Sequence, residues 1–330
     1  MSISNGPQLN DEPRISPSAQ APAATRKATG TSRSGLIFAI ASYLIWGFLP
    51  LFFLALAPAG AFEVVAWRIV FSLVFCALLL AVTRKFKSFF RLMARPRISL
   101  TMAVAGVLIY VNWQTYVYST LSGQVVEASL GYFINPIVTV FLGVFFLRER
   151  LRLAQWIAVG ASLVAVVVLA VSAGSVPWIA LTLAFSFGLY GYIKKRVGNT
   201  VDAVAGLTME TLWLLPIAIV QLVIVGMTAG LTIGTISGWH TTLLLAAGVV
   251  TAVPLLFFAA ASRRLPLIYM GFIQYLGPII QFFVGVLILH EPMSPERWAG
   301  FSLVWLALLI LTVDGFVGAR RNRRAVLELI

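Results

Sequence analysis

The chain reads as an all-α polytopic membrane protein whose ten transmembrane helices form two inverted five-helix repeats. Three observations predict this. First, 60% of its 330 residues are hydrophobic and 11% are charged, with a mean hydropathy of +0.95, whereas soluble domains carry about a quarter charged residues. Second, the apolar residues gather into ten runs of about 20 residues, the length that crosses a bilayer as a helix. Third, Pro136, Gly143, Leu147, Glu149 and Trp156 recur, all at one constant offset, as Pro278, Gly285, Leu289, Glu291 and Trp298. Leucine recurs by chance in such a composition. Proline, glutamate and tryptophan held in register point to duplication.

Residues 1–34 are rich in Pro, Ser, Ala and Thr, have no apolar period, and are expected to form a disordered cytoplasmic tail. The first span is placed at 35–57; it lacks a small-residue cleavage site and so reads as a spanning helix, not a signal peptide. Spans at 62–82, 98–121, 125–147 and 152–173 complete a first repeat, 35–173. The second repeat, 177–316, holds spans at 177–193, 204–226, 239–262, 266–289 and 296–316, and residues 317–330 form a basic cytoplasmic tail. Helices and closed barrels are the two ways to satisfy a backbone in lipid. Uninterrupted apolar runs such as 157–171 contradict the alternating segments of a barrel.

Lys and Arg set the orientation. They cluster in the amino-terminal tail (Arg14, Arg26, Lys27, Arg33) and after the second span (Arg84, Lys85, Lys87, Arg91, Arg95, Arg97). Further clusters are Arg148/Arg150/Arg152, Lys194/Lys195/Arg196, Arg263/Arg264 and Arg320/Arg321/Arg323/Arg324. The alternate loops 58–61, 122–124, 174–176 and 227–238 hold no Lys or Arg. With both termini in the cytoplasm, 22 of the 24 basic residues fall inside, all but Arg68 and Arg297. The net charge of +13 then belongs to cytoplasmic loops and not to a nucleic-acid-binding surface. A half with five spans turns its successor upside down, so Glu149 ends its helix inside and Glu291 outside. Such inverted halves are the architecture of alternating access.

An ionisable side chain in hydrocarbon costs at least about 3 kcal/mol, so each is a candidate for the transport path. Glu63 and Arg68 lie in the second span, five residues apart, a spacing that does not align them on one helix face. Glu127 opens the fourth span, and Asp314 lies close enough to the interface to be solvated. Glu210 stands deeper, in LTMETLWLLP, with no basic residue near it in sequence; it suits a cationic substrate or a carried proton. Asn112, Trp113 and Gln114 follow one another in the third span, where an amide needs a polar partner. Tyr116 and Tyr118 suit an outer aromatic belt. Asn135-Pro136 and Gly277-Pro278 occupy corresponding places, and each proline removes a backbone donor, marking a hinge or helix break. Gln274 and Gln281 accompany Pro278. Gly143 and Gly285 suit close helix contact, and Glu149 and Glu291 suit caps at helix ends.

No enzyme constellation is present. The two histidines, His240 and His290, lack metal-ligand spacing, and Cys76 is the single cysteine. No glycine-rich loop ends in Lys-Ser/Thr, which argues against ATP-driven pumping. No cofactor or metal is expected.

The helix openings SYLIWG (42–47) and SFGLYG (186–191) also echo each other. Together with residues 35–50 (GLIFAIASYLIWGFLP), 127–151 (EASLGYFINPIVTVFLGVFFLRERL), 184–195 (AFSFGLYGYIKK), 207–216 and 271–291, they make the chain resemble the RarD branch of the EamA family, in the drug/metabolite transporter superfamily. The resemblance covers about residues 35–316 and implies two inverted EamA-type repeats and a secondary transporter of the cytoplasmic membrane. The function read from the chain is export of small metabolites or drugs by two halves rocking about a midplane cavity, with Glu210 and Glu63 bearing charge and a proton exchanged for substrate. A passive channel or permease on the same scaffold is the alternative. The partners are a small-molecule substrate and the lipid bilayer, with no nucleic acid. The sequence leaves a homodimer open and marks no face for one.

Overall fold

The computed structural model describes residues 33–147, 153–197, 200–262, 264–265, 270 and 273–327. Among these residues every regular element is helical and no strand occurs. The helices are α1 (Arg33–Leu54), α2 (Ala61–Val82), α3 (Phe86–Met93), α4 (Pro96–Leu121), α5 (Val125–Leu147), α6 (Leu153–Ala173), α7 (Trp178–Val197), α8 (Ala203–Thr228), α9 (Gly238–Ser262), α10 (Leu276–Phe283) and α11 (Pro295–Leu327). A π-helical segment, Val284–Ile288, continues α10. Seven helices (α1, α2, α4, α6, α8, α9 and α11) are long and apolar enough to cross a membrane, and Val125–Val138 and Leu276–Ile288 are shorter apolar helices. The chain is a multi-pass membrane protein. Its helices expose large apolar residues such as Val74, Leu78, Ile219 and Val223, the pattern of helices that meet lipid instead of water.

Local chemistry sets the helix ends. Pro96 opens α4, where its absent N–H costs no helical hydrogen bond. Asp202 caps α8 by accepting from the Ala205 amide at 2.9 Å. Three stretches differ from the sequence expectation. The loop after α2 contains α3, an eight-residue amphipathic helix with Phe89 buried, Phe86 and Phe90 exposed, and Lys87 and Arg91 interspersed; such a helix suits the membrane interface. Of the expected helix 266–289, Met270 and Ile273 are helical, Gln274 and Tyr275 form a turn, and α10 with the π segment covers Leu276–Ile288; residues 266–269, 271 and 272 lie outside the described residues. Pro278 is the third residue of α10, where no intrahelical donor is lost, and stands just after the turn at Gln274 and Tyr275 that separates α10 from the helical Ile273. Pro136 lies inside α5, which continues through it. The expected tail 317–330 is helical as far as Leu327.

Packing runs across the chain. Helix α2 lies against α8 and α9, α4 against α7 and α8, α5 against α7 and α10, α1 against α9 and α10, and α6 against α11. One apolar core, with Phe53, Ile69, Met102, Leu183 and Leu214, joins α1, α2, α4, α7 and α8. A second, around Phe133, Phe282 and Phe301, joins α5, α10 and α11, with the Phe282 and Phe301 ring centroids 4.8 Å apart.

Several crossings bring a glycine against the backbone of another helix, among them Gly131 of α5, where a Cβ would stand 2.7 Å from the Ala180 carbonyl oxygen of α7. A Cβ at Gly106 of α4 would stand 3.2 Å from the Glu210 carbonyl oxygen of α8, and one at Gly248 of α9 would overlap the Phe71 carbonyl of α2. Only a residue without a side chain permits such approach. Glu291 ties the second family of contacts. Its carboxylate oxygens accept from the Val125 amide at 2.6 Å and the Val126 amide at 3.0 Å, so it caps the start of α5. These first-turn amides have no acceptor within their own helix. Gly285 makes room for the arrangement, since a Cβ there would stand 2.6 Å from Val126 Cγ2. Glu149, Arg148 and Arg150 lie outside the described residues, and no side chain is described at Gly143.

Gly248→Leu should destabilise the protein by about 2 kcal/mol or more, because the clash is with backbone that cannot repack. Thermal unfolding in detergent reads this as a lower melting temperature; an unchanged value would mean the crossing is not tight. Glu291→Ala, which leaves two buried amides without acceptors, should cost about 2–4 kcal/mol, and Glu291→Gln, which keeps one acceptor oxygen, distinctly less.

Candidate functional site

Arg68 enters the middle of the bundle from α2 and is only 4% exposed. Its Nε donates to Thr251 Oγ1 of α9 at 2.7 Å. Its Cζ lies 4.4 Å from the Trp113 ring centroid and 5.4 Å from that of Phe53, so two aromatic faces meet the cation. Nη1 is buried with no hydrogen-bond partner, and no carboxylate among the described residues reaches ion-pairing distance.

A chain of polar and aromatic contacts leads away from this cation. The Tyr116 ring centroid lies 5.9 Å from that of Phe53 and 5.6 Å from that of Tyr132. The buried Tyr116 hydroxyl lies beside the Gln281 side chain. Tyr132 Oη donates to Asn112 Oδ1 at 3.0 Å. Asn112 Nδ2 in turn donates to Ser186 Oγ at 3.1 Å and the Leu183 carbonyl at 3.2 Å. The amide expected to need a partner in α4 thus has three, from α5 and α7. Its neighbour Trp113 serves the cation.

Glu210 forms a separate centre. It is fully buried, and Lys194 Nζ of α7 reaches its Oε1 at 2.7 Å while Tyr190 Oη donates to Oε2 at 3.2 Å. The expectation of an isolated carboxylate is therefore corrected. Helix α7 runs on through Lys194 to Val197 instead of ending at 193, which brings the lysine inward. Gly206 leaves the space, since a Cβ there would come within 2.8 Å of Nζ.

Of the other expected residues, Gln281 meets Tyr116 of the Arg68 centre, and Glu63 and Gln114 join neither centre. Glu63 does not pair with Arg68; its Oε1 accepts from the Thr232 amide at 2.7 Å and from Trp67 Nε1 at 3.3 Å, tying the α8–α9 loop to α2. Gln114 Oε1 accepts from Gln221 Nε2 at 3.0 Å, and the same nitrogen donates to Tyr110 at 2.8 Å. Glu63, Tyr110 and Gln221 line a cavity of about 1170 Å³ that Pro216 and Ile224 also border. Asn135 Oδ1 stands where a Cβ on Gly188 would lie 3.4 Å from it, at the α5–α7 contact. Pro136 leaves the Tyr132 carbonyl without a helical donor, on the same residue whose hydroxyl holds Asn112. Gln281 Nε2 donates to the Trp46 carbonyl at 3.1 Å.

Sequence reasoning missed Tyr132, Ser186, Thr251, Tyr190 and Lys194. One signal was present: Arg68 and Glu210 stand at the same offset as the repeated proline, glutamate and tryptophan. Helices α2 and α8 start at that offset too, at Ala61 and Ala203.

Comparison with known proteins bears on this arrangement. Residues 33–171 and 175–313 each match the EamA-like transporter family, so the domain occurs twice. Protein RarD of Streptomyces exfoliatus is 47% identical over 297 residues, covering 90% of this chain and 94% of that protein. An uncharacterized transporter of Vibrio cholerae is 39% identical, covering 89% and 97%. A crystal structure of a protein only 16% identical superposes with a TM-score of 0.55 over 85% of this chain and 98% of its own, which speaks for the fold alone. On the two domain matches and the identity to RarD, the chain belongs to the EamA-like transporter family.

Proposed function

We propose that this chain is a secondary active transporter of the cytoplasmic membrane that exports small metabolites or drugs by alternating access, with ten spans in two inverted repeats, 35–173 and 177–316. The observation that carries the reading is the polar centre at Arg68. Its hydrogen-bond acceptor, Thr251, and the Ser186 that holds Asn112 come from the second family domain, whereas Arg68, Asn112, Trp113 and Tyr132 come from the first. A site shared by two copies opens to either side as the copies rock.

The packing supports a two-fold relation between the copies. Exchanging equivalent helices turns the α1–α9 contact into α7–α4, α2–α9 into α8–α4, and α5–α7 into α10–α1, and all of these occur. Gly106 and Gly248, at two close crossings between the copies, are themselves related by the repeat offset. Contacts between helix ends support the alternating topology. Lys85 and Asp202, 3.6 Å apart, join segments assigned to the cytoplasm. Glu63 with Thr232, His240 with the Leu56 carbonyl at 2.9 Å, and Glu291 with Val125 join segments assigned outside. Pro136 serves as a soft point in α5, and Pro278, next to the turn at Gln274 and Tyr275, as the helix break of the second copy. Glu210 carries the exchanged proton: protonation removes its charge and releases Lys194.

Three measurements test this reading. A reporter fused after Lys85 should report a cytoplasmic location; an external signal would overturn the topology. Metabolites exported with and without the gene should differ, and the leading compound should accumulate against its gradient in proteoliposomes; flux that never exceeds the gradient would identify a passive permease instead. In the same vesicles Glu210→Gln should reduce proton-driven transport at least about tenfold, or free it from the proton gradient, while the protein stays folded. Wild-type coupling in that variant would remove Glu210 from the mechanism.

A further inference from the structure

We infer that the cluster around Arg68 binds a small organic carboxylate with an aromatic or apolar body. The inference rests on the transport reading and specifies its substrate class. Arg68 and Glu210 occupy equivalent places in the two copies, related by the repeat offset and carried on helices that begin at the same spacing. The second copy neutralises its buried charge from its own first helix: Lys194 of α7 meets Glu210 at 2.7 Å. In the first copy the corresponding end of α1, residues 49–54, reads LPLFFL and contains no acid. Phe53 faces the guanidinium there. One copy thus holds a compensated charge and the other an uncompensated one.

Burying a guanidinium without a counter-ion is costly, and such a group in a membrane protein marks a binding path more often than a scaffold element. The rings of Trp113 and Phe53 soften the cost but leave the donors unused. Arg68 Nη1 is a buried donor without an acceptor, and Tyr116, whose hydroxyl lies beside Gln281, and Tyr132 stand within electrostatic reach of Arg68. A carboxylate takes the unused edge of the guanidinium: its charge matches one arginine, and its plane matches the guanidinium fork. Phe53, Trp113, Tyr116 and Tyr132 supply walls for an apolar or aromatic body. Thr251, from the other copy, occupies Nε, and separation of the copies releases that edge. Glu210, already paired, offers no free charge to a cationic substrate.

The test uses the purified full-length chain in detergent, titrated with benzoate, phenylacetate and pyruvate and with benzamide and benzylamine as neutral and cationic counterparts. Melting temperature and tryptophan fluorescence are followed. At least one carboxylate should give a saturable response that the amide and amine do not. Arg68→Lys should weaken it by roughly tenfold or more, because the fork is lost. Arg68→Met should abolish it while the ligand-free melting temperature holds or rises, an outcome a purely structural arginine would not give. If Arg68→Met does not fold, Arg68→Lys carries the comparison, and unchanged affinity there overturns the inference. Silence of all three carboxylates in the wild type, or a response that survives Arg68→Met, does the same. Vesicle flux separates the two claims. Carboxylate binding without accumulation rejects transport and keeps the site. Accumulation of a neutral or cationic compound, indifferent to Arg68, rejects the site and keeps transport.

Discussion

Inside hydrocarbon a polar group has only other protein groups to bond with, and most of this structure follows from that constraint. The backbone satisfies it by coiling. Side chains satisfy it by reaching between helices: Ser42 Oγ donates to the Pro254 carbonyl at 2.8 Å, Asn112 ties α4 to α5 and α7, and Gln221 ties α8 to α4. Where the chain needs a charge at depth, the rule becomes stricter. Glu210 meets it with Lys194 and Tyr190, and Arg68 meets it only in part. The contrast between these two residues gives the bundle its chemical direction.

Shape is set by the complementary rule that lipid-embedded helices gain from close fit, not from exclusion of water. Gly106 and Gly248 carry that fit to its limit by bringing carbonyl groups of α8 and α2 against bare backbone. Both contacts bind a helix of one family domain to a helix of the other. The duplicated sequence therefore makes the same joint twice. Around each joint the larger side chains, Leu214 and Phe71, fill the remaining space.

The helices were legible because an apolar run about 20 residues long has few other uses; Val125–Leu147 appears at the expected bounds. Helix α3 was hidden because eight residues with two cations and three phenylalanines fall below the length of a span. The start of α10 was hidden because an apolar run does not reveal where its first turn forms. For the site, intramembrane polarity pointed to Arg68, Asn112 and Trp113, which do lie together. Gln114 escaped that grouping because two residues turn an α-helix by about 200°, toward α8. Thr251 carries no signal of its own, as a hydroxyl in a helix commonly bonds its own backbone. It does so here too, donating to the Ala247 carbonyl at 2.7 Å. Lys194 was hidden by the rule that located the cytoplasmic loops, because a basic residue at a helix end reads as loop whether or not its side chain turns inward.

The Glu291 cap has a bearing on how the protein is made. The amides it accepts belong to residues 165 and 166 positions earlier in the chain. During synthesis α5 enters the membrane long before its acceptor leaves the ribosome. Until then those two amides have partners other than Glu291. Completion of the second domain replaces those partners and draws the turn into the protein. The first domain's α5 is thus capped by a residue from the last quarter of the chain.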